Sequence, residues 1–417
     1  MPENSALITN DAVVMGLLAV ILGAVFYTSH SPHPFWRKFH GIVPALLLCY
    51  FIPAVFNTLE VIDGEASRLY YVASRYLLPA ALILLTLSID LKGVIGLGPK
   101  ALIMFFTGTV GIVIGGPLAL LALGSAFPEL LGADGPEAVW RGMTTVAGSW
   151  IGGGANQAAM KEVFEVGNDV FAQMVAVDVI VANIWMAILL IMAGNQRRID
   201  AFTGADASSI DRLKTKIETY EAEHSRIVTT KDLMLMSMIG FGGTGLAHAV
   251  AGWLAPMLQE SAPFLARFSL TSTFFWIVVI ATTVGLIVSF TPVRKLEDAG
   301  ASKVGSAFVY ILVATIGMHM DIKAVAEAPL LFGVGLIWIS IHAGLLLTVG
   351  YFIKAPLFFV AVGSQANVGG AASAPVVASA FHPSLAPVGV LLAVLGYALG
   401  TYGAWLCGQL MRVVSGG

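Results

Sequence analysis

The chain has 417 residues, of which 57% are hydrophobic and 11% charged, with a formal net charge of -3. Soluble domains carry roughly 25% charged residues, so a soluble globular fold is excluded. The small net charge, with no basic patch interleaved with aromatics, points to no nucleic-acid partner.

Apolar runs of about the 20 residues needed to span a bilayer lie near 12–29, 41–59, 70–91, 100–124, 142–164, 169–194, 232–257, 270–291, 303–321, 329–351, 356–381 and 385–411. A transmembrane β-barrel would instead show segments of about ten residues with alternating polarity. The pattern predicts an all-α polytopic membrane protein. The opening stretch MPENSALITND is acidic and lacks the basic start of a signal peptide, so the first run reads as a retained helix. Cys49 and Cys407 lie inside apolar runs and read as inert core thiols.

Arg75 opens the third run, where snorkelling to the interface explains it. SIDLKGV, Ser88 to Val94, closes that run with Asp90 two residues before Lys92. The fifth run contains AGSWIGGGANQAA, Ala147 to Ala159, whose glycines and Asn-Gln pair are poor material for a continuous membrane helix. Asp178 lies near the middle of the sixth run, where a carboxylate costs at least about 2.5–3.5 kcal/mol to insert. It reads as a coupling-ion site, where its carboxylate would be a ligand to Na⁺ or carry a proton, or as a structural partner of Asn183 one turn away. Residues 195–231 form the one long polar connection, and the alternating charges of SSIDRLKTKIETYEAEHSR predict a short surface helix there.

In the second half, GFGGTGLAHAVAG offers a small-residue face for helix packing or dimerisation and carries His248. HMDIKAV repeats SIDLKGV and places Asp321 opposite Asp90; both acids read as helix ends at headgroup level. His342 lies in mid-run and reads as a satisfied core residue. VGSQANVGGAASA, Val362 to Ala374, repeats AGSWIGGGANQAA, pairing Gly148 with Gly363, Ser149 with Ser364, Gly154 with Gly369 and Ala159 with Ala374. The order of features is the same in each half. This predicts a first repeat over 1–194, a cytoplasmic linker over 195–231 and a second repeat over 232–417.

Paired Gly-interrupted segments at matching positions point to the binding site of a secondary transporter. A broken helix exposes free N–H groups at one end and free carbonyls at the other, favouring anions and cations respectively. The expected solute site is Ser149, Gly153, Gly154, Asn156, Gln157, Ser364, Gln365, Asn367, Gly369, Gly370 and Ser373, with Asp178 and Asn183 on the coupling ion.

If both Gly-rich segments are re-entrant, each half has five crossings and the repeats are inverted. With the N-terminus outside, 15 of the 22 Lys and Arg residues are then cytoplasmic. Twelve crossings with the N-terminus inside also place 15 of 22 inside, so charge does not separate the two arrangements. A glycine vertex at both positions favours inversion. Enzyme signatures are missing: AGSWIG is not a G-x-S-x-G elbow, and no H-E-x-x-H, P-loop or dinucleotide fingerprint occurs. An intramembrane hydrolase would have to use Ser149 and His248.

SIDL followed by the Gly/Asn segment, then HMDI followed by SQANVGGAA, resembles the DUF819 family of bacterial and plastid membrane proteins over nearly the whole chain. That family is grouped with glutamate:Na⁺ symporters, bile acid:Na⁺ symporters and cation:proton antiporters. The resemblance implies inverted repeats, a panel domain that dimerises, a core with two crossed unwound helices, elevator-type movement and homodimers. It also implies a carboxylate on the helix after the first break, where Asp178 stands, although the antiporters' adjacent pair of acids is not reproduced and VLLAVLGYALG carries none.

The expectation is therefore a secondary active transporter in the plasma (inner) membrane, not an enzyme. It moves a small polar or anionic solute such as an amino acid, short peptide or carboxylate, coupled to Na⁺ or H⁺ and with no other cofactor. The alternative is a cation/proton antiporter without an organic substrate.

Overall fold

The computed structural model describes residues 6–40, 43, 45–64, 66–132, 135–205, 210, 227–268, 270–320, 329–382 and 385–416. Asp321 and nearly all of the expected surface helix at 208–226 lie outside the described residues. The described chain is helical apart from turns and one isolated bridge between Ile8 and Ile62.

The first half contains α1 (Asp11–Ser29), α2 (Pro34–His40), α3 (Ala45–Thr58), α4 (Leu69–Leu87), α5 (Leu91–Ile95), α6 (Pro99–Gly124), α7 (Val139–Gly152), α8 (Gly154–Val163) and α9 (Asn168–Gly194). After α10 (Gln196–Thr203), the second half contains α11 (Thr230–Ser261), α12 (Thr273–Ser289), α13 (Ala301–Gly317), α14 (Pro329–Phe352), α15 (Leu357–Val368), α16 (Gly370–Phe381) and α17 (Ala386–Val414). Within the described residues, each of the twelve apolar runs holds a helix or a pair of helices. Among the described residues, seven helices are long and apolar enough to cross a membrane, or up to nine if two bent pairs count as spans. The protein is a multi-pass membrane protein.

Helix ends in a bilayer need partners for their first N–H groups, because no water reaches them in the hydrocarbon. Polar caps supply some of them. Asn10 accepts from the N–H groups of Ala12 and Val13. Thr229 and Asp232 form a reciprocal capping box on α11. Asp90 caps α5 through the N–H of Gly93, and Ser272 caps α12. The sequence pattern gave no sign of one irregularity, a π-helical turn at Ala73–Leu77 inside α4.

The helices pack as two sets. α1, α3, α4, α11, α12 and α13 form one; α6, α7, α8, α9, α14, α15, α16 and α17 form the other. The first half contributes α1, α3 and α4 to the first set, the second half contributes α11, α12 and α13, and the later helices of both halves form the second. Contacts between sets are sparser, and most run from α4, α12 and α13 to α8 and α17. Helix α10 joins the second set: the Asp200 carboxylate accepts from the N–H of Leu357 at 2.8 Å, at the first residue of α15.

Candidate functional site

Both Gly-rich segments break where the sequence places the glycines. Gly153 separates α7 from α8 with φ 78°, a conformation side chains with a Cβ rarely adopt. Beyond it the chain folds back. A Cβ on Gly148 would stand 2.6 Å from the carbonyl oxygen of Asn156, so the backbones of α7 and α8 lie against each other. The second break, at Gly369 and Gly370, also bends sharply. The side-chain amide of Gln365 donates to the hydroxyl of Ser373 at 2.7 Å, and eight residues of straight helix would hold these groups too far apart.

Between the two breaks lies a cavity of about 440 Å³ on the seam between the helix sets. Its wall includes Ser149, Gly153, Gly154, Asp178, Asn183, Gln365, Gly369, Gly370 and Ser373. Leu46, Leu85 and Tyr310 face them from the other set. The first turns of α8 and α16 border the cavity, so the positive ends of both helices are beside it.

Asp178 is 4% exposed and orders the polar side of the wall. The indole N–H of Trp150 donates to Oδ1 at 2.7 Å, and the amide of Gln157 donates to Oδ2 at 2.9 Å. The Ser149 hydroxyl is a third donor. Gln157 is itself held by the Tyr50 hydroxyl, which donates to Oε1 at 3.1 Å from the opposite helix set. The expected partnership of Asp178 with Asn183 does not form: the Asn183 amide donates to the carbonyl of Val179 at 2.7 Å. On a helix, positions five apart do not face each other, whereas Trp150 and Gln157 flank the break directly opposite.

Four residues expected on the solute are buried behind the wall instead. Asn156 is saturated: its amide donates to the carbonyls of Gly152 and Tyr397, and its oxygen accepts from Thr401 at 2.8 Å. Gln157 is occupied by Tyr50 and Asp178. Asn367 accepts from Thr109 at 2.7 Å and donates to the carbonyls of Phe105 and Gly363. Ser364 accepts from Trp185 at 2.7 Å and lies 2.8 Å from Nε2 of His342. Because the Gly108 carbonyl can only accept, His342 Nδ1 carries the hydrogen and Nε2 accepts from Ser364. These groups tie the broken helices to α6, α14 and α17. Gln365 keeps a buried Oε1 without a hydrogen-bond partner at the cavity.

Other residues singled out by sequence lie elsewhere. His248 lies against the carbonyl of Arg75 at 2.8 Å, while Ser149 serves Asp178, so the structure does not bring the hydrolase pair together. Arg75 does not simply snorkel; it pairs with Glu162. Asp90 pairs with Arg294 at 3.5 Å. Both cysteines are free and buried. The reading from sequence missed Tyr50, Trp150, Trp185, Thr401 and Glu162. Trp150 and Trp185 carried a usable signal, since an indole N–H in mid-membrane needs an acceptor.

The central cavity continues toward the Asp90 end of α4. It shares Ser306, Tyr310, Ala371 and Tyr397 with a vestibule of about 1180 Å³ near Asp90, Arg294 and Lys303. A third pocket, of about 690 Å³, lies at the other end of α4 around Tyr70, Arg75, Glu162 and His319, and shares no wall residue with the central cavity.

A family model described as "Protein of unknown function (DUF819)" matches residues 14–414. The chain is also similar to the "Uncharacterized membrane protein YjcL" of Bacillus subtilis (strain 168), with 27% identity over 356 residues, covering 84% of this chain and 85% of that protein.

Proposed function

The chain belongs to the DUF819 family, and from that premise we propose that it is a secondary active transporter of the plasma membrane. It carries a small polar or anionic organic solute, such as an amino acid, short peptide or carboxylate, coupled to Na⁺ or H⁺. The observation that carries this reading is the cavity between two broken helices, with Asp178 on its wall and two helix N-termini beside it. In this reading the N–H ends of α8 and α16 receive the negative part of the solute. Asp178, oriented by Trp150, Gln157 and Ser149, holds the coupling ion. The partition into two helix sets with a sparse seam supports elevator-type movement of one set against the other. We take the protein to act as a homodimer and to perform no covalent chemistry.

Uptake of labelled amino acids, dipeptides and organic acids into proteoliposomes, with and without imposed Na⁺ and H⁺ gradients, tests this. Gradient-dependent uptake of one solute class supports it. If no solute moves while added Na⁺ or K⁺ alone drives a change in lumenal pH, the protein is a cation/proton antiporter using Asp178. That second reading rests on the same carboxylate at the cavity.

A further inference from the structure

Arg75 is fixed to the first helix set on several sides. It sits on the π-helical turn Ala73–Leu77 of α4. Its carbonyl lies 2.8 Å from Nε2 of His248 on α11, a ring nitrogen that donates to it because a carbonyl can only accept. Its guanidinium lies 4.3 Å from the ring centroid of Phe274 on α12. Its ionic partner, Glu162, stands on α8 in the other set, 2.5 Å away. The pair therefore crosses the seam. Lys161 beside it also spans the two sets, with Nζ 5.2 Å from the ring of Tyr70 on α4 and 5.5 Å from that of Phe171 on α9.

The position of this contact matters. The central cavity is continuous with the vestibule at the Asp90 end of α4. Arg75 and Glu162 line the separate pocket at the opposite end. For the cavity to communicate with that pocket, the seam must part where the pair bridges it. The side chains are only 29% and 10% exposed, so separating them leaves two poorly solvated charges unless water follows. Such a contact biases the equilibrium between closed and open forms of the seam.

We propose that Arg75–Glu162 is a latch that holds the central cavity shut on the face opposite the vestibule, and that it opens and recloses once in each transport cycle. This rests on the transporter reading above, but its test needs no solute. Ser373 lines the cavity, and S373C is the reporter, labelled with a membrane-impermeant maleimide in right-side-out and inside-out vesicles. The protein with its two buried native cysteines is the background control.

With the latch intact, S373C labels from the vestibule face. E162Q or R75Q raises labelling from the opposite face about tenfold or more, as a shifted two-state equilibrium requires. The charge-swapped double variant R75E/E162R returns it to the parental rate. Labelling from that face within twofold of the parent in both single variants, with thermal unfolding unchanged, overturns the latch. If a single variant does not fold, E162D decides, since it keeps the charge but withdraws the carboxylate from Arg75 by one methylene: labelling of S373C from the face opposite the vestibule must rise, and labelling at the parental rate refutes the proposal. If the latch variants label as proposed but the parental protein, with Ser373 intact, moves no solute or ion across proteoliposomes, the transporter reading falls and its once-per-cycle role with it, while the closing contact stands. If transport proceeds with labelling unaffected, the latch alone falls.

Discussion

At the scale of single residues, the decisive difference is between polar groups that face the cavity and polar groups that hold its wall. Asp178 does the first, and Asp178→Asn keeps its volume but removes its charge. Gradient-driven uptake is expected to fall by about tenfold or more, the equivalent of 1.4 kcal/mol of lost ion binding. The new N–H₂ faces one of the three donors, so the unfolding midpoint should also fall, by the equivalent of about 1–3 kcal/mol; uptake at the parental rate would remove Asp178 from the coupling site. His342 does the second. It is fully buried between the carbonyl of Gly108 and the hydroxyl of Ser364. His342→Phe leaves both without that partner and should destabilise by about 1–3 kcal/mol for each buried group left unsatisfied, seen as a lower unfolding midpoint in detergent. The polarity of Asn156, Gln157 and Asn367 was readable from the sequence, but the direction each one faces was not. That direction is set by Thr401, Tyr50 and Thr109, each more than 100 positions away in the chain. Glu162 went unnoticed because next to Lys161 it reads as an ordinary headgroup pair.

At the scale of elements, hydrocarbon thickness made the helices legible. A spanning segment must be apolar for about 20 residues, and interruptions in such a run are conspicuous. The breaks at Gly153 and Gly369–Gly370 were visible for that reason. The fold-back at the first break was not, since it depends on what packs against Gly148. This gives a paired expectation. Gly148→Ala puts a methyl group 2.6 Å from the backbone of Asn156 and should destabilise by about 1–3 kcal/mol through overpacking. Gly154→Ala meets its nearest atom, Cγ1 of Val309, at 3.5 Å and should leave the unfolding midpoint nearly unchanged. Equal effects of the two would mean that α7 and α8 do not lie together. The π turn of α4 had no sequence signature, because it shifts one backbone hydrogen bond without altering the apolar pattern.

At the scale of the whole molecule, the repeat seen in sequence corresponds to a division of labour that cuts across it. Both helix sets draw on both halves of the chain, so neither half buries its faces alone. Severing the connection within residues 211–226 and producing each half separately should give little stable membrane protein, whereas co-production should restore a complex that copurifies. Stable accumulation of one half alone would contradict the interleaved packing. The tightest joint in this assembly is between α7 and α17, from opposite halves. There Gly400 leaves room for the backbone of Gly152, at 2.6 Å from where a Cβ would stand, and Gly396 does the same for the carbonyl of Ile151. In the elevator reading proposed above, helices α7 and α17 move as one body and the seam is the part that yields. If the protein carries a solute as proposed, turnover speed and solute preference are separable properties: substitutions along α12 and α13 should alter how fast it cycles, while those at the glycine breaks alter what it carries.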